Sequence, residues 1–311
     1  MKNKFQSACI LLAGSFLFLN ACKTKVNQDY SELETQSQDN ASVQKETDQV
    51  LQDVATLIEG SNVARTEGFI KPCDASLDSS SSKTNKYILK YDKGSACGYI
   101  NGIRSGSIEV SLIAGTKWSD ANAKLKIVFN NFKIKNVSNK NITFNGTKYI
   151  ENVTGGFVKN LAQDDSITHK IFTESLSPIS ITFDDGSKAN WNIARKKVIK
   201  KLVTGLSINI SGFGSPLNYT NVSEWGNTRK GTQFFSIIDQ PIVFKDCNAN
   251  NNFLAILGQK RHVGLVKEIT IKYGVNAQGE PINDPCSTSL YGYNVSYKKL
   301  DGSQVLVTKP Y

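Results

Sequence analysis

The chain has 311 residues, 39% hydrophobic and 21% charged, enough for one large or two modest domains with real cores. No stretch beyond the first 21 residues is long and apolar enough to span a bilayer. The formal charge of +10 is uneven, net −5 over residues 23–60 and net +13 over residues 61–311, so an acidic segment precedes a basic body.

In chain order, the first element reads as a secretory signal over residues 1–21. Lys2 and Lys4 give a positive start, residues 8–19 are almost wholly apolar, and Leu19-Asn20-Ala21-Cys22 ends the run with small residues. The apolar run is well short of the roughly 20 residues of a membrane span. Its ending resembles a bacterial lipobox, which implies cleavage after Ala21 and lipid on Cys22. Each buried CH₂ contributes roughly 0.8 kcal/mol, so two or three acyl chains hold a protein persistently where one does not. Lys23, rather than Asp, after Cys22 is compatible with outer-membrane sorting.

Residues 22–41 are polar and read as a flexible tether. Over residues 42–60, Val43, Val50, Leu51, Val54, Ala55 and Ile58 recur at helical spacing, with Ser42 placed to cap the start and Gly60 to stop it. That span predicts an amphipathic helix.

Residues 61–311 predict a β-rich body, with a division into subdomains near residue 165 left open. Cys73, Cys97, Cys247 and Cys286 remain once Cys9 leaves with the signal and Cys22 takes lipid. An even count fits an oxidising setting. Three pairings are possible, and proximity favours Cys73–Cys97 with Cys247–Cys286. A metal site is not expected, because no Cys-x-x-Cys pair exists and the two histidines lie far from all four cysteines.

The strand signals are short β-branched and aromatic runs broken by Gly, Asn and Asp. Residues 107–112 alternate strictly, and residues 125–134 alternate with one slip at Asn130-Asn131 that predicts a bulge. Asn145-Gly146 predicts a hairpin turn, and Asp184-Asp185-Gly186 predicts a second turn after Ile179–Phe183. Further strands are expected over 231–244, 263–273, Gly292–Lys298 and 305–308. The segment from Ala194 to Val203 has apolar residues at helical spacing, yet the turns around it favour an edge strand guarded by lysine. The fold expected is mainly β, an antiparallel sandwich or rolled extended sheet with one N-terminal helix.

Candidate chemistry is sparse. Trp118 follows Gly115-Thr116-Lys117 and is expected at an exposed loop, where an indole can stack on a sugar or anchor an interface. Arg195, Lys196, Lys197, Lys200 and Lys201 form a basic run able to engage an anionic glycan or lipopolysaccharide. Trp191 is expected in the core. His169 and His262 lack any neighbouring nucleophile motif and are expected at strand surfaces, and no Gly-x-Ser-x-Gly elbow occurs. No catalytic residue, cofactor or metal is assigned, and an exported protein has little occasion to meet nucleic acid.

Cys97-Gly98-Tyr99-Ile100-Asn101-Gly102-Ile103-Arg104-Ser105-Gly106-Ser107-Ile108 resembles a motif of β-rich lipoproteins of the Bacteroidota. Phe129-Asn130-Asn131-Phe132, Asn152-Val153-Thr154-Gly155, Ile181-Thr182-Phe183-Asp184-Asp185-Gly186 and Arg229-Lys230-Gly231 follow in the same order, as do Pro241-Ile242, Leu257-Gly258 and Tyr273-Gly274. The similarity runs over residues 87–300, although the group's Asp-x-Gly-x-Gly-x-Cys-Asp ending is absent. It implies an exported, lipid-anchored β protein and names no activity. The function expected is a non-enzymatic structural or binding module at the outer membrane, with a glycan hydrolase or a lipid carrier with an apolar trough as alternatives.

Overall fold

The computed structural model describes residues 35–58, 72, 74–80, 86–92, 102–136, 140–246, 253–264, 268–282, 286, 288–298 and 302–311. Residues 35–58 form one helix, α1. Its buried positions include Asp39, Asn40, Val43, Thr47, Val50, Asp53, Val54 and Leu57, three or four residues apart and so on a single face. The helix begins at least seven residues before the expected Ser42 cap. Ser42 is an exposed residue inside it, and residues 35–41 belong to α1 rather than to a tether.

One antiparallel sheet makes up the body. Strands β1 (Ser76–Asp78), β2 (Lys86–Tyr91), β3 (Gly102–Ala114), β4 (Ala123–Asn136) and β5 (Asn141–Asn152) follow each other as neighbours. Two short strands, β6 (Ser166–Phe172) and β7 (Ile179–Phe183), then lie end to end between β5 and the long β8 (Lys188–Lys201). The same device recurs with β9 (Leu206–Gly212) and β10 (Val222–Asn227), which share the space between β8 and β11 (Gln233–Asp246). The order continues through β12 (Phe253–Gly264), β13 (Glu268–Val275), β14 (Gly292–Lys298) and β15 (Gln304–Pro310). A single sheet selects the rolled form over the sandwich, and β5 pairs with β6 and β7 across residue 165.

The roll follows from what α1 touches. Asp53 meets Arg104 on β3, and Asn40 meets Lys260 on β12. Those strands are seven steps apart in the sheet, about 34 Å if flat, whereas the two helix residues are about 20 Å apart along the axis. The sheet therefore curls around α1. The main core joins Val43, Val50, Val54, Leu57 and Ile58 of α1 to the inner faces of β2–β8 and Phe234 of β11. A smaller apolar cluster of Val222, Phe235 and Ile237, with Tyr219, Trp225 and Val263 against it, packs separately from that core.

The slip at Asn130-Asn131 is a bulge. The β4 register shifts against both neighbours there, and Asn131 has φ 47°. Gly106 opposite has φ 87°, and a Cβ on it would overlap the Asn131 carbonyl oxygen. The inserted residue keeps Phe129 and Phe132 both inward, their rings 6.0 Å apart and beside Phe144.

Three local expectations are corrected. Asn145-Gly146 is no hairpin turn, because β5 runs unbroken through it. Gly146 has φ 127° and a tight approach to the Pro178 carbonyl, where β5 exchanges β7 for β6. Residues 263–273 are not one strand but the end of β12 and most of β13, with residues 265–267 outside the described residues. The Ala194–Val203 segment is strand up to Lys201, yet it lies mid-sheet with four partner strands rather than at an edge. The turn at Asp184-Asp185-Gly186 forms as expected, with Gly186 at φ 80°.

Candidate functional site

The inner face of the sheet is not wholly apolar. Arg104 on β3, Lys148 on β5, Arg195 on β8, Glu224 on β10, Ser236 on β11, and Lys260 and His262 on β12 are all buried. Ile193, Glu224, Ser236 and His262 are successive cross-strand partners, so pairing register places the polar groups in one row. Above them lies the polar part of the α1 buried face.

At the β3 end, the Arg104 guanidinium grips Asp74 through Nε at 2.7 Å and Nη2 at 2.6 Å, and Asp53 of α1 through Nη1 at 2.5 Å. The planar fork suits this two-point grip on one carboxylate. The Tyr91 hydroxyl donates to Asp53 at 3.3 Å, and the Arg104 guanidinium lies 4.5 Å over the Tyr91 ring. Burial raises the Asp53 carboxyl above its ordinary value, although Arg104 pulls it down.

Mid-helix, Arg195 reaches Asp48 of α1 at 3.3 Å and Glu224 at 2.5 Å, the latter an ion pair without an aligned hydrogen bond. Glu224 also accepts from the Ser223 hydroxyl at 2.6 Å and lies 3.4 Å from the Lys260 ammonium. Burial alone would raise Glu224, but Lys260, Arg195 and Ser223 outweigh it and hold the carboxylate well below its ordinary range. Lys260 donates to Asn40 of α1 at 2.5 Å. Nearer the helix start, Arg229 grips Asp39 through two bonds of 2.6 Å and lies 3.6 Å over the Phe183 ring. Four basic side chains of the sheet and its turns thus each meet a helix residue.

Ser236 Oγ and His262 Nδ1 are 2.8 Å apart. A Ser–His pair is the core of acyl-transfer sites, but Ser236 is 0% exposed and His262 1%. Burial, with Lys260 nearby, pushes the imidazole down to about 3, so it is neutral. Glu224, the nearest acid by register, is hydrogen-bonded to Ser223 rather than to the ring. The pair is a sealed structural contact.

Several expected site residues are placed differently. Trp118 is 4% exposed and in the main core, its ring 5.4 Å from that of His169. The Asp120 carboxylate accepts from the Thr116 and Lys117 backbone N–H groups and turns the loop so that the indole points inward. The basic run does not form one surface, because strand alternation divides it. Arg195 is buried inside and Lys197 is half-buried on the same phase, whereas Lys196 is exposed on the other, and Lys200 pairs with Asp164 at 3.1 Å. Lys201 is half-buried at the strand end. His262 is buried rather than superficial, and His169 is half-buried with its Nε2 enclosed. Trp191 is core as expected.

Cys22, Cys73, Cys97 and Cys247 lie outside the described residues. Cys286 is the one described cysteine; it is disulfide-bonded, to a partner outside them. Among the described residues no helix is long and apolar enough to cross a membrane.

Sequence reasoning missed Arg104, Lys148, Glu224 and Lys260 as a group. Their signal was there as charge on an apolar phase, such as Lys148 between Phe144 and Ile150 along β5, or Asp39 and Asp53 on the helical stripe of Val43, Val50 and Leu57. No protein-family model, curated protein or solved structure matches the chain.

Proposed function

We propose that the chain is a lipid-anchored cell-envelope protein, a non-enzymatic structural or binding module attached to the outer membrane through Cys22. The ending Leu19-Asn20-Ala21-Cys22 supports the anchor, and the resemblance to Bacteroidota lipoproteins supports the class. The observation that carries a module rather than a catalyst is the way α1 engages four cations of the sheet and its turns. Arg104, Arg195, Arg229 and Lys260 are engaged by Asp53, Asp48, Asp39 and Asn40. The N-terminal chain is thereby built into the body. Twelve residues lie between Cys22 and Thr35, so the two are at most about 45 Å apart along extended chain, and the anchor holds the sheet close to the bilayer.

Against a hydrolase stands Glu224, kept ionised by Lys260 and Arg195 and so a poor proton donor. Against an apolar lipid trough stand the same inner charges and the helix that covers them. An anionic glycan or lipopolysaccharide would meet the exposed lysines instead, among them Lys133 and Lys135 on β4 and Lys188 and Lys196 on β8. Disulfides Cys73–Cys97 and Cys247–Cys286 complete the proposal, each contributing roughly 3–4 kcal/mol by restricting the unfolded chain. Replacing Cys22 with Ser tests the anchor by membrane fractionation. The variant is expected in the soluble fraction, and undiminished membrane retention contradicts the proposal.

A further inference from the structure

The face of the sheet turned away from α1 carries aromatic rings where a solvent face is ordinarily polar. Tyr149 alternates with the buried Lys148 and Ile150 along β5 and so points outward. Its cross-strand partner on β6 is Phe172, whose own partner on β8 is Ala194. Just past β9, the Phe213 backbone N–H donates to the Ala194 carbonyl at 3.0 Å and carries the line one step further. The Tyr149 and Phe172 rings stack at 5.5 Å and 20°, and Phe213 is 41% exposed. Ala194 contributes only a methyl group, which leaves Phe172 and Phe213 two strand spacings apart, about 10 Å. Gly214 keeps the chain after Phe213 flat on the sheet, since a Cβ there would strike the Trp225 ring and the Val222 carbonyl.

A charged row runs beside the aromatic one, two residues along each strand and about 7 Å away. Lys124, Glu151, Lys170 and Lys196 are successive cross-strand partners on β4, β5, β6 and β8. Lys124 Nζ lies 5.5 Å from the centre of the Phe172 ring, and Lys170 Nζ lies 5.9 Å from that of Phe213. Those two distances join both rows into one surface. Lys170 and Lys196 stand directly opposite each other, an arrangement of like charges that costs stability. Among the described residues, neither of them forms an ion pair, and Lys124 forms none. Of the two nearby acids, Glu174 accepts the Tyr149 hydroxyl at 2.8 Å, and Glu151 is the one carboxylate within the rows.

We propose that this surface binds an acidic polysaccharide, its sugar rings seated on the aromatic row and its carboxylates on Lys124, Lys170 and Lys196. Rings alone would suit a neutral glycan, and lysines alone would suit any polyanion. A chain of uronic acids uses both, because it offers apolar ring faces and regularly placed negative charge together. The proposal rests on the reading of the chain as an envelope protein, which sets an acidic glycan above single-stranded nucleic acid.

The test is isothermal titration calorimetry of the full chain with polygalacturonate, against its methyl-esterified, uncharged form. Polygalacturonate is expected to bind more tightly than the ester, and added sodium chloride to weaken it. Phe213→Ala and Lys170→Gln should each lower the affinity about tenfold, whereas Lys133→Gln, toward the other end of β4, should leave it unchanged. Glu151→Gln removes the carboxylate from the charged row and should tighten binding, a gain that a misfolded variant does not give. No binding by the wild type overturns the proposal, as does affinity that survives both Phe213→Ala and Lys170→Gln. A loss in Lys133→Gln equal to that in Lys170→Gln overturns the site in favour of a diffuse basic surface. Tighter binding of oligodeoxythymidylate through Phe213 and Lys170 overturns the ligand class. Membrane fractionation of Cys22→Ser judges the anchor separately, so failure here leaves the anchored module standing.

Discussion

Arg104 shows how much one side chain carries when its partners come from distant parts of the chain. Asp53 and Asp74 lie 51 and 30 residues away in sequence, and all three are buried. Removing the guanidinium leaves two carboxylates without compensation, which places Arg104→Met at a loss of about 3–5 kcal/mol in urea unfolding. Lys200→Ala, which removes an exposed pair with Asp164, should change stability by less than about 1 kcal/mol. Equal losses in the two variants would contradict the distinction between the inner and outer charges.

The two histidines set an acid limit at the same scale. His262 is pushed down to about 3 and His169 to about 4, each by burial first, helped by Lys260 and Lys197 respectively. Below about pH 6.5 the unfolded chain binds protons that the folded chain refuses, so stability falls as pH drops. The slope is about 1.4 kcal/mol per pH unit for each histidine over the window from 6.5 down to about 4. Urea unfolding at pH 7.0 and 5.5 should show this loss, and His262→Asn should roughly halve it. Stability unchanged across that interval would mean that the rings are accessible to protons.

At the scale of elements, glycine positions separate local strain from obstruction. Gly106 and Gly186 both have φ near +80°. A Cβ at Gly186 would meet nothing within 4 Å, whereas one at Gly106 would strike the backbone of the β4 bulge. Gly186→Ala should therefore cost about 1–2 kcal/mol, the left-handed penalty alone, and Gly106→Ala substantially more. Comparable chemical-denaturation midpoints for the two would show that the bulge yields.

The same glycines explain what could be read from sequence. Strands with strict two-residue alternation, such as β3, β4, β7 and β14, were legible, and so was the bulge, because burial on one face writes itself into the pattern. Asn145-Gly146 carries an equally strong turn signal, yet its glycine answers the approach of Pro178, just before β7, a strand not adjacent to β5 in sequence. Local dipeptides do not distinguish those causes. The mid-sheet place of β8 depends on four partner strands, and no single segment encodes that. The inner polar contacts were hidden for a related reason: Asp39–Arg229 and Asn40–Lys260 span 190 and 220 residues, and only the rolled sheet brings them together.

At the scale of the molecule, the acidic N-terminal segment and the basic body meet as complementary parts. Asp39, Asp48 and Asp53 supply three of the negative charges between residues 23 and 60, and the inner cations of the sheet receive them. The charge asymmetry along the chain is thus partly cancelled inside the fold. An anchor at Cys22 would then pull on a helix locked into the sheet along its length, so the helix should unfold only with the strands around it.

Native-state hydrogen exchange reads this directly. Amides of α1 around Val50 and Val54 are expected to exchange with the same free energy as those of β4 and β8, through global unfolding. Exchange of α1 at markedly lower free energy while β4 and β8 stay protected would contradict the account, by making the helix a detachable segment laid on a sheet that stands without it.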